Sequence, residues 1–149
     1  RVKKAGAKWV VQINTGGTCH LKAAMIEEAM EAEAVSEKLD IIIIENVGNL
    51  VCPAGFDLGE DTRVMVGALT EGADKPKKYP AMYRACEILV INKIDISSAV
   101  DVSPEDFEKE ALDVNPALKT FHVSATKGDG IDEFCDWLSM LVKRQAKRA

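Results

Sequence analysis

The clearest chemistry in the sequence lies in the run Asn92-Lys93-Ile94-Asp95, which directly follows four apolar residues, 88–91. An apolar run of this length predicts a strand buried on both faces, as in parallel sheets covered by helices. The polar residues then stand at the carboxyl end of the strand, where open α/β sheets bind their ligands. The carboxylate of Asp95 can accept two hydrogen bonds from adjacent N–H groups on one ligand edge. Guanine offers such an edge and adenine does not, so the run predicts guanine recognition; the alternative is a polar turn after a strand.

A second short run supports the same prediction. Ser124-Ala125 ends another predicted strand, 120–123, at the position where GTPases place a Ser-Ala loop whose backbone N–H meets the guanine carbonyl oxygen. The aliphatic stem of Lys93 can lie over a flat ring, and Asn92 can tie the loop or contact the base. The order of the two runs, with one predicted helix between them, is typical of a guanine-binding site.

Three residues with soft donor atoms form a candidate metal site. Cys19 and His20 are adjacent at the start of a predicted helix, and Cys52 lies in the loop after a predicted buried strand. In a parallel sheet both places lie at the carboxyl edge, so the three side chains can be close in space. Two thiolates and an imidazole suit zinc or nickel, although a closed zinc shell would need a fourth ligand from water or a symmetric partner. The alternative is two buried cysteines and one surface histidine.

Composition limits the classes of protein to consider. A chain of 149 residues is long enough for one domain with a real core. Its net charge of −5 argues against nonspecific nucleic-acid binding, which requires a basic face. No apolar run approaches the roughly 20 residues of a membrane span, and no signal peptide is visible. The four cysteines are scattered without a CxxC pair, so we expect a cytoplasmic protein with free thiols.

The elements that position these residues alternate between strands and helices. An amino-terminal cap at Ser103-Pro104 starts a helix, and Pro116 follows its end. The predicted elements are strands at 8–14, 40–45, 64–69, 88–91 and 120–123, and helices at 19–38, after Pro76 and Pro80, from 103, and at 131–147. This order predicts an α/β fold, a three-layer structure with a mostly parallel sheet and helices on both faces.

The phosphate-binding motif of GTPases is absent from the sequence. That motif, Gly-x-x-x-x-Gly-Lys-Ser/Thr, requires a Gly-Lys pair, and none occurs in the 149 residues. The run 15–18 (Thr-Gly-Gly-Thr) opens a predicted helix but lacks the lysine, so we interpret it as a turn rather than a phosphate site. The chain begins at Arg1 without Met. We therefore expect a single GTPase-domain fragment, with the phosphate cradle and first strand of the sheet upstream.

Several segments resemble the HypB family, the GTPases that incorporate nickel into hydrogenase. The most specific is Glu-Asn-Val-Gly-Asn-Leu-Val-Cys-Pro at 45–53. The resemblance covers nearly the whole chain. Its other segments are Gln-Ile-Asn-Thr-Gly at 12–16, Cys-His-Leu at 19–21, Phe-Asp-Leu-Gly-Glu-Asp at 56–61, Thr-Glu-Gly at 70–72, Asp-Lys-Pro at 74–76, Lys-Tyr-Pro at 78–80, Asn-Lys-Ile-Asp at 92–95 and Val-Ser-Ala at 123–125.

The resemblance implies a nucleotide site and a P-loop NTPase-like fold of the SIMIBI type. The segment from Glu45 to Gly48 would be the switch motif, and the Gly48 N–H would sense the γ-phosphate of GTP bound with Mg²⁺. Guanine would be held by residues of the two runs described above, namely Asn92, Lys93, Asp95, Ser124 and Ala125. Gly17 departs from the family, whose members often have Lys there.

The resemblance also implies a metal site and partners. Cys19, His20 and Cys52 would bind nickel or zinc near the interface of a GTP-linked homodimer. A maturation partner and the large subunit of [NiFe]-hydrogenase would receive the metal, and neither nucleic acid nor membrane would be involved. Because Cys52 lies four residues after Gly48, the nucleotide state would move one metal ligand.

Two alternatives remain open from the sequence. Without the phosphate cradle, the chain by itself would be a nucleotide-independent metal-binding or dimerisation module, and we expect it to hydrolyse little or no GTP. In the second alternative, the protein is still a GTPase, but it delivers metal to another nickel enzyme, such as urease.

Overall fold

The computed structural model describes residues 1–32 and 39–145, and the chain forms two compact units, unit 1 (Arg1–Glu60) and unit 2 (Asp61–Ala149). None of the helices in the described part combines the length and the apolar character that a membrane span requires. In chain order, the elements are α1 (Ala23–Ala32), β1 (Val64–Ala68), α2 (Lys75–Lys78), α3 (Pro80–Arg84), β2 (Ile88–Asn92), α4 (Pro104–Val114), β3 (Lys119–His122) and α5 (Ile131–Gln145), with 3-10 helices at Lys3–Ala5, Cys52–Gly55, Leu69–Glu71 and Ile94–Ala99.

Unit 2 contains a parallel sheet of three strands in the order β1-β2-β3. Side chains alternate between the two faces of a strand. On one face, Ile88 and Val90 of β2 pack with Phe134 and Trp137 of α5. On the other face, Phe107 of α4 approaches Gly67 of β1 so closely that a Cβ there would lie 2.8 Å from its ring. The prediction of a parallel α/β sheet with helices on both faces is therefore confirmed.

The helices of unit 2 begin and end close to the predicted positions. The Ser103 hydroxyl caps α4 by accepting the Asp106 N–H at 3.0 Å, and Pro104 occupies its first turn. The single short helix predicted after Pro76 is divided into α2 and α3, because Pro80 starts a new helix. The helix α5 extends to Gln145, and the remainder of its predicted last turn falls on residues 146–149, which lie outside the described residues.

Unit 1 differs from the prediction in its strands. The segments 8–14 and 40–45 form no regular secondary structure, and neither is paired with a strand within the described ranges. Ile42 and Ile43, predicted to be buried, have 51% and 83% of their surface exposed. The prediction was wrong because an apolar run becomes a strand only when a neighbouring strand takes up its backbone hydrogen bonds.

The first predicted helix also starts later than expected. It was predicted from Cys19, but α1 begins at Ala23, since the preceding residues are used in a turn. In that turn the hydroxyls of Thr15 and Thr18 each donate to the other's carbonyl oxygen, at 3.0 and 2.9 Å. Residues 33–38, which the prediction placed in this helix, lie outside the described residues.

Candidate functional site

The end of β2 turns sharply at Lys93, which adopts the left-handed conformation with φ 65°. Non-glycine residues rarely take this conformation, so it indicates a turn held in place by neighbouring contacts. Asn92 supplies such contacts, since its Oδ1 accepts the Lys93 N–H at 2.7 Å and the Ala125 N–H at 3.1 Å. Lys93 Nζ also lies 3.3 Å from Oγ1 of Thr70, in the 3-10 helix after β1. Asn92 and Lys93 thus tie the end of β2 to two other segments of unit 2.

The carboxylate of Asp95 is oriented by a buried serine. Ser124 is fully buried, and its Oγ donates to Asp95 Oδ1 at 2.7 Å while it accepts the Lys127 N–H at 3.1 Å. Asp95 itself is exposed. A carboxylate that is held in direction but open to solvent can accept a pair of ligand N–H groups with little further loss of rotamer freedom.

The backbone fixes the relative positions of these two loops. Ile94 N–H donates to Val123 O at 3.2 Å, and Val123 N–H donates to Ile91 O at 2.8 Å. Gly130 closes the second loop with φ 69°, and a Cβ built on it would lie 2.0 Å from His122 O. Only glycine fits there, so the loop from Ser124 to Gly130 folds tightly against the end of β3.

The structure brings Asn92, Asp95, Ser124 and Ala125 together, and it gives the Ala125 N–H a partner within the protein. The expected ligand of a backbone N–H in this loop was a guanine carbonyl oxygen. In the structure the Ala125 N–H is donated to Asn92, so a base would have to compete for it. The contact of Lys93 with Thr70 was not predicted at all, because nothing local indicates a pair separated by 23 positions.

A cleft of about 690 Å³ adjoins the loop on the side of Asp95. Its lining includes Asp95 and Asp129 but none of Asn92, Lys93 and Ala125. The predicted base-binding residues therefore do not all face this cleft. A base that contacts all of them would lie on the loop surface, against the Lys93 stem.

The three predicted metal ligands lie close together within unit 1. Cys19 Sγ is 3.6 Å from Nδ1 of His20. The Cys52 thiol donates a hydrogen bond to Cys19, and this contact, ahead of desolvation and the Cys19 charge, raises the pKa of Cys52. Asn49 Nδ2 donates to Cys52 Sγ at 3.7 Å and acts in the opposite direction. A metal ion that binds both sulfur atoms would have to displace the protons of both thiols.

The imidazole of His20 is stacked on an aromatic ring and is not part of a formed coordination shell. Its ring stacks on Phe56, and its Nε2 atom is buried without a hydrogen-bond partner in the described part of the chain. Among residues 1–32 and 39–145, no group of three or more Cys, His, Asp or Glu side chains is arranged to hold a metal ion. Unit 1 therefore presents neighbouring donors in pairs, rather than a formed coordination shell.

The segment predicted as a switch lies beside these donors in the same unit. Glu45 and Gly48 are both exposed, and no atom approaches within 4 Å of the position of a Cβ on Gly48. Asn46 Oδ1 accepts the Leu21 N–H at 2.9 Å and the Val47 N–H at 2.8 Å. The side chain of Asn46 thus links the switch segment to the residue that follows His20, a contact that the sequence did not reveal.

Comparison with known proteins gives consistent matches. The family model described as the CobW/HypB/UreG nucleotide-binding domain matches residues 1–122. The hydrogenase maturation factor HypB of Rhizobium leguminosarum bv. viciae is 45% identical over 149 residues, 100% of this chain and 49% of that protein. The hydrogenase/urease maturation factor HypB of Helicobacter pylori is 34% identical over 141 residues, 93% of this chain and 58% of that protein. This chain spans about half the length of the curated relatives it matches.

One solved structure is also informative. The crystal structure of HypB from Helicobacter pylori in complex with nickel aligns with a TM-score of 0.88 and 32% sequence identity. The alignment covers 97% of this chain and 68% of the crystallised chain.

Proposed function

The chain belongs to the HypB family of the CobW/HypB/UreG nucleotide-binding domains, and from that premise we propose that it is part of a GTP-dependent protein that delivers nickel to [NiFe]-hydrogenase. The observation that carries the proposal is the hydrogen bond from Leu21 N–H to Asn46 Oδ1. This bond joins the segment assigned to nucleotide sensing to the segment assigned to metal binding.

The guanine-binding role rests on the exposed Asp95 carboxylate, which the buried Ser124 hydroxyl holds at 2.7 Å. In the proposal, Asp95 accepts N1–H and the 2-amino group of guanine, and Lys93 covers one face of the base. Adenine presents no such donor pair and would leave the carboxylate unpaired, which gives strong selection for guanine.

The metal-binding role rests on Cys19, His20 and Cys52, whose thiol and imidazole donors contact one another in unit 1. Nickel is the proposed cargo, supported by the nickel complex of the H. pylori relative. Zinc is the competing ion, because it accepts the same donors. Three protein donors leave at least one position for water or for a ligand of a second copy.

In the proposed mechanism, nucleotide state controls the metal through one loop. The γ-phosphate of GTP binds the exposed Gly48 N–H and draws the segment from Glu45 to Gly48 into one position. Asn46 moves with this segment, and so its hydrogen bond to Leu21 changes. Cys52 follows in the same loop, so hydrolysis alters the spacing of the donors and releases nickel.

The remaining parts of the proposal concern the complete protein. It binds GTP or GDP with Mg²⁺ and acts as a homodimer. Its partners are a hydrogenase maturation protein and the hydrogenase large subunit. We place it in the cytoplasm, where Cys19, Cys52 and Cys135 persist as free thiols.

The nucleotide assignment is tested by Asp95→Asn in the complete protein. An amide donates where the carboxylate accepted, so GTP affinity should fall about 10–100-fold while affinity for xanthosine triphosphate, which has a carbonyl at position 2, should rise. Competition binding measures both affinities, and Asp101→Asn, an exposed acid lining the same cleft, is the matched control. An unchanged preference for GTP would reject the role of Asp95.

A second client is supported by one relative. The H. pylori protein is a hydrogenase/urease maturation factor, so the same GTP-linked site would serve urease where that enzyme is present. Deletion of the gene followed by assays of both enzymes distinguishes the clients. Loss of hydrogenase activity alone supports the main proposal, and loss of urease activity alone overturns it.

A further inference from the structure

We propose that Phe56 is a positioning residue that holds the imidazole of His20 so that Nδ1, and not Nε2, binds the metal together with Cys19 Sγ. The inference rests on the proposed function, because it specifies how the metal-binding residues of unit 1 present their donor atoms. Phe56 contributes no donor itself and acts through the ring that it contacts.

The stacked contact restricts the orientation of His20. The two ring centroids are 3.7 Å apart and the planes are inclined by 15°. A nearly parallel contact at this distance covers one face of the imidazole and opposes rotation of the ring. Phe56 directly follows the 3-10 helix Cys52–Gly55, so one short segment carries both a metal donor and the ring that orients another donor.

The two nitrogens of His20 have different surroundings. Nε2 is buried and finds no hydrogen-bond partner among the described residues, whereas Nδ1 faces Cys19 Sγ at 3.6 Å. A hydrated ion cannot reach a buried nitrogen unless the ring leaves Phe56. Nδ1 is therefore the nitrogen that the stacked ring offers to a metal.

The spacing of Nδ1 and Sγ suits two ligands of a single ion. With Zn–S of about 2.3 Å and Zn–N of about 2.0 Å, a tetrahedral angle separates the donor atoms by roughly 3.5 Å. The observed 3.6 Å between Cys19 Sγ and His20 Nδ1 matches this value. A right angle, as in square-planar nickel, requires roughly 3.1 Å, so that ion would draw the pair closer.

Proton balance is consistent with this assignment. Coordination takes Cys19 as the thiolate, and its proton passes to solvent. The imidazole stays neutral, with its one proton on Nε2. Cys52, whose thiol hydrogen-bonds to Cys19, is available as the third donor, and its proton also passes to solvent when it binds.

Nuclear magnetic resonance tests the assignment with Zn²⁺ as a diamagnetic probe. The chain has two histidines, and the second, His122 in unit 2, serves as the internal reference. Its Nε2 atom lies 3.1 Å from Oε2 of Glu108. Long-range ¹H–¹⁵N spectra should show Zn²⁺ on Nδ1 of His20 and the proton on Nε2. Phe56→Leu keeps apolar bulk without a ring and should give mixed Nδ1 and Nε2 coordination, while Phe56→Tyr should keep the wild-type pattern.

Metal affinity provides the second measurement. Loss of the stacked ring should weaken Ni²⁺ and Zn²⁺ binding by Phe56→Leu about fivefold, and Phe56→Tyr should stay within about twofold of wild type. Because Phe56 is 44% exposed, both variants should keep the wild-type circular dichroism spectrum. Coordination through Nε2 in the wild type, or a Leu variant with unchanged affinity and nitrogen pattern, would overturn the role of Phe56.

Failure of the proposed function has a different signature. If Cys19→Ser binds Ni²⁺ as tightly as wild type and Zn²⁺ leaves the His20 signals unchanged, then unit 1 does not contain the metal site. Both the proposed function of unit 1 and the role of Phe56 would then be rejected. If Cys19→Ser abolishes binding but the Phe56 variants behave like wild type, only the inference about Phe56 is overturned.

Discussion

Two apolar runs of similar sequence take different structures in the two units. In unit 2 the run 88–91 forms most of β2, with Leu89 and Ile91 fully buried between parallel neighbours on both sides. In unit 1 the run 41–44 forms no strand and is unpaired within the described residues, and Ile43 is 83% exposed. The difference shows that an apolar run indicates a segment suited to burial, whereas the available neighbours decide whether it becomes a strand.

The two candidate sites differ in the same way. In unit 2 the Asp95 carboxylate is held by a buried hydroxyl and by loops that continue the hydrogen bonds of the sheet. In unit 1 the donors of Cys19, His20 and Cys52 are held by one another, by a stacked ring and by turns. A rigid frame suits selection between similar bases, and a loosely held donor set suits a metal that must be both bound and released.

Hydrogen exchange should give the largest contrast between the two apolar runs. Amides of β2 open only with the sheet, so their protection should exceed that of residues 41–44 by more than about a thousandfold. Exchange measured by mass spectrometry on the intact chain, with peptides covering each run, checks this. Equal protection of the two runs would mean that residues 41–44 pair with a strand, and the contrast between the units would disappear.

Gly130→Ala should destabilise unit 2 by more than about 3 kcal/mol, because the new methyl group meets the His122 carbonyl at 2.0 Å. Gly17 in unit 1 is the control, since it also has a positive φ, 88°, but no atom lies within 4 Å of its Cβ position. Gly17→Ala should therefore cost only about 1 kcal/mol. Urea unfolding measures both values, and a Gly130 variant as mild as the Gly17 variant would contradict the tight closure of the Ser124 loop.

Tyr83→Phe should stabilise unit 2, and by less than Gly130→Ala destabilises it. Tyr83 is fully buried in unit 2, and its hydroxyl has no hydrogen-bond partner among the described residues. Replacing an unpaired buried hydroxyl with hydrogen should raise the free energy of unfolding by up to about 1 kcal/mol. The same urea titration at neutral pH measures this change; a clear loss of stability would show that the hydroxyl is paired.

The same substitution has a consequence at alkaline pH. Desolvation by burial, with contributions from Glu71 and Cys86, raises the pKa of the Tyr83 hydroxyl above its ordinary value. The unfolded chain therefore loses this proton first, so the stability contribution is complete below about pH 10 and declines above it. A phenyl ring at this position has no proton to lose, so the Tyr83→Phe variant should lose less stability than wild type between about pH 9 and about pH 11. If the free energies of unfolding of the variant and of wild type declined with pH at the same slope, the burial of this hydroxyl would be contradicted.

The features predicted from sequence are those that depend on residues close in the chain. The cap of α4 at Ser103 and the burial of β2 are local patterns and were predicted correctly, as was the family. The predicted strands at 8–14 and 40–45 were wrong, since pairing depends on distant neighbours. Contacts such as Asn46 with Leu21 and His20 with Phe56 join separate loops, and no spacing rule indicates them.

The most direct test of the account is the nickel affinity of the complete protein, measured with a non-hydrolysable GTP analogue and again with GDP. We expect the two affinities to differ by at least about fivefold, because the γ-phosphate moves the loop that carries Asn46 and Cys52. Asn46→Ala should bring the two affinities together while leaving GDP binding, which involves no γ-phosphate, intact. Equal nickel affinities in the two nucleotide states of the wild-type protein would contradict the account.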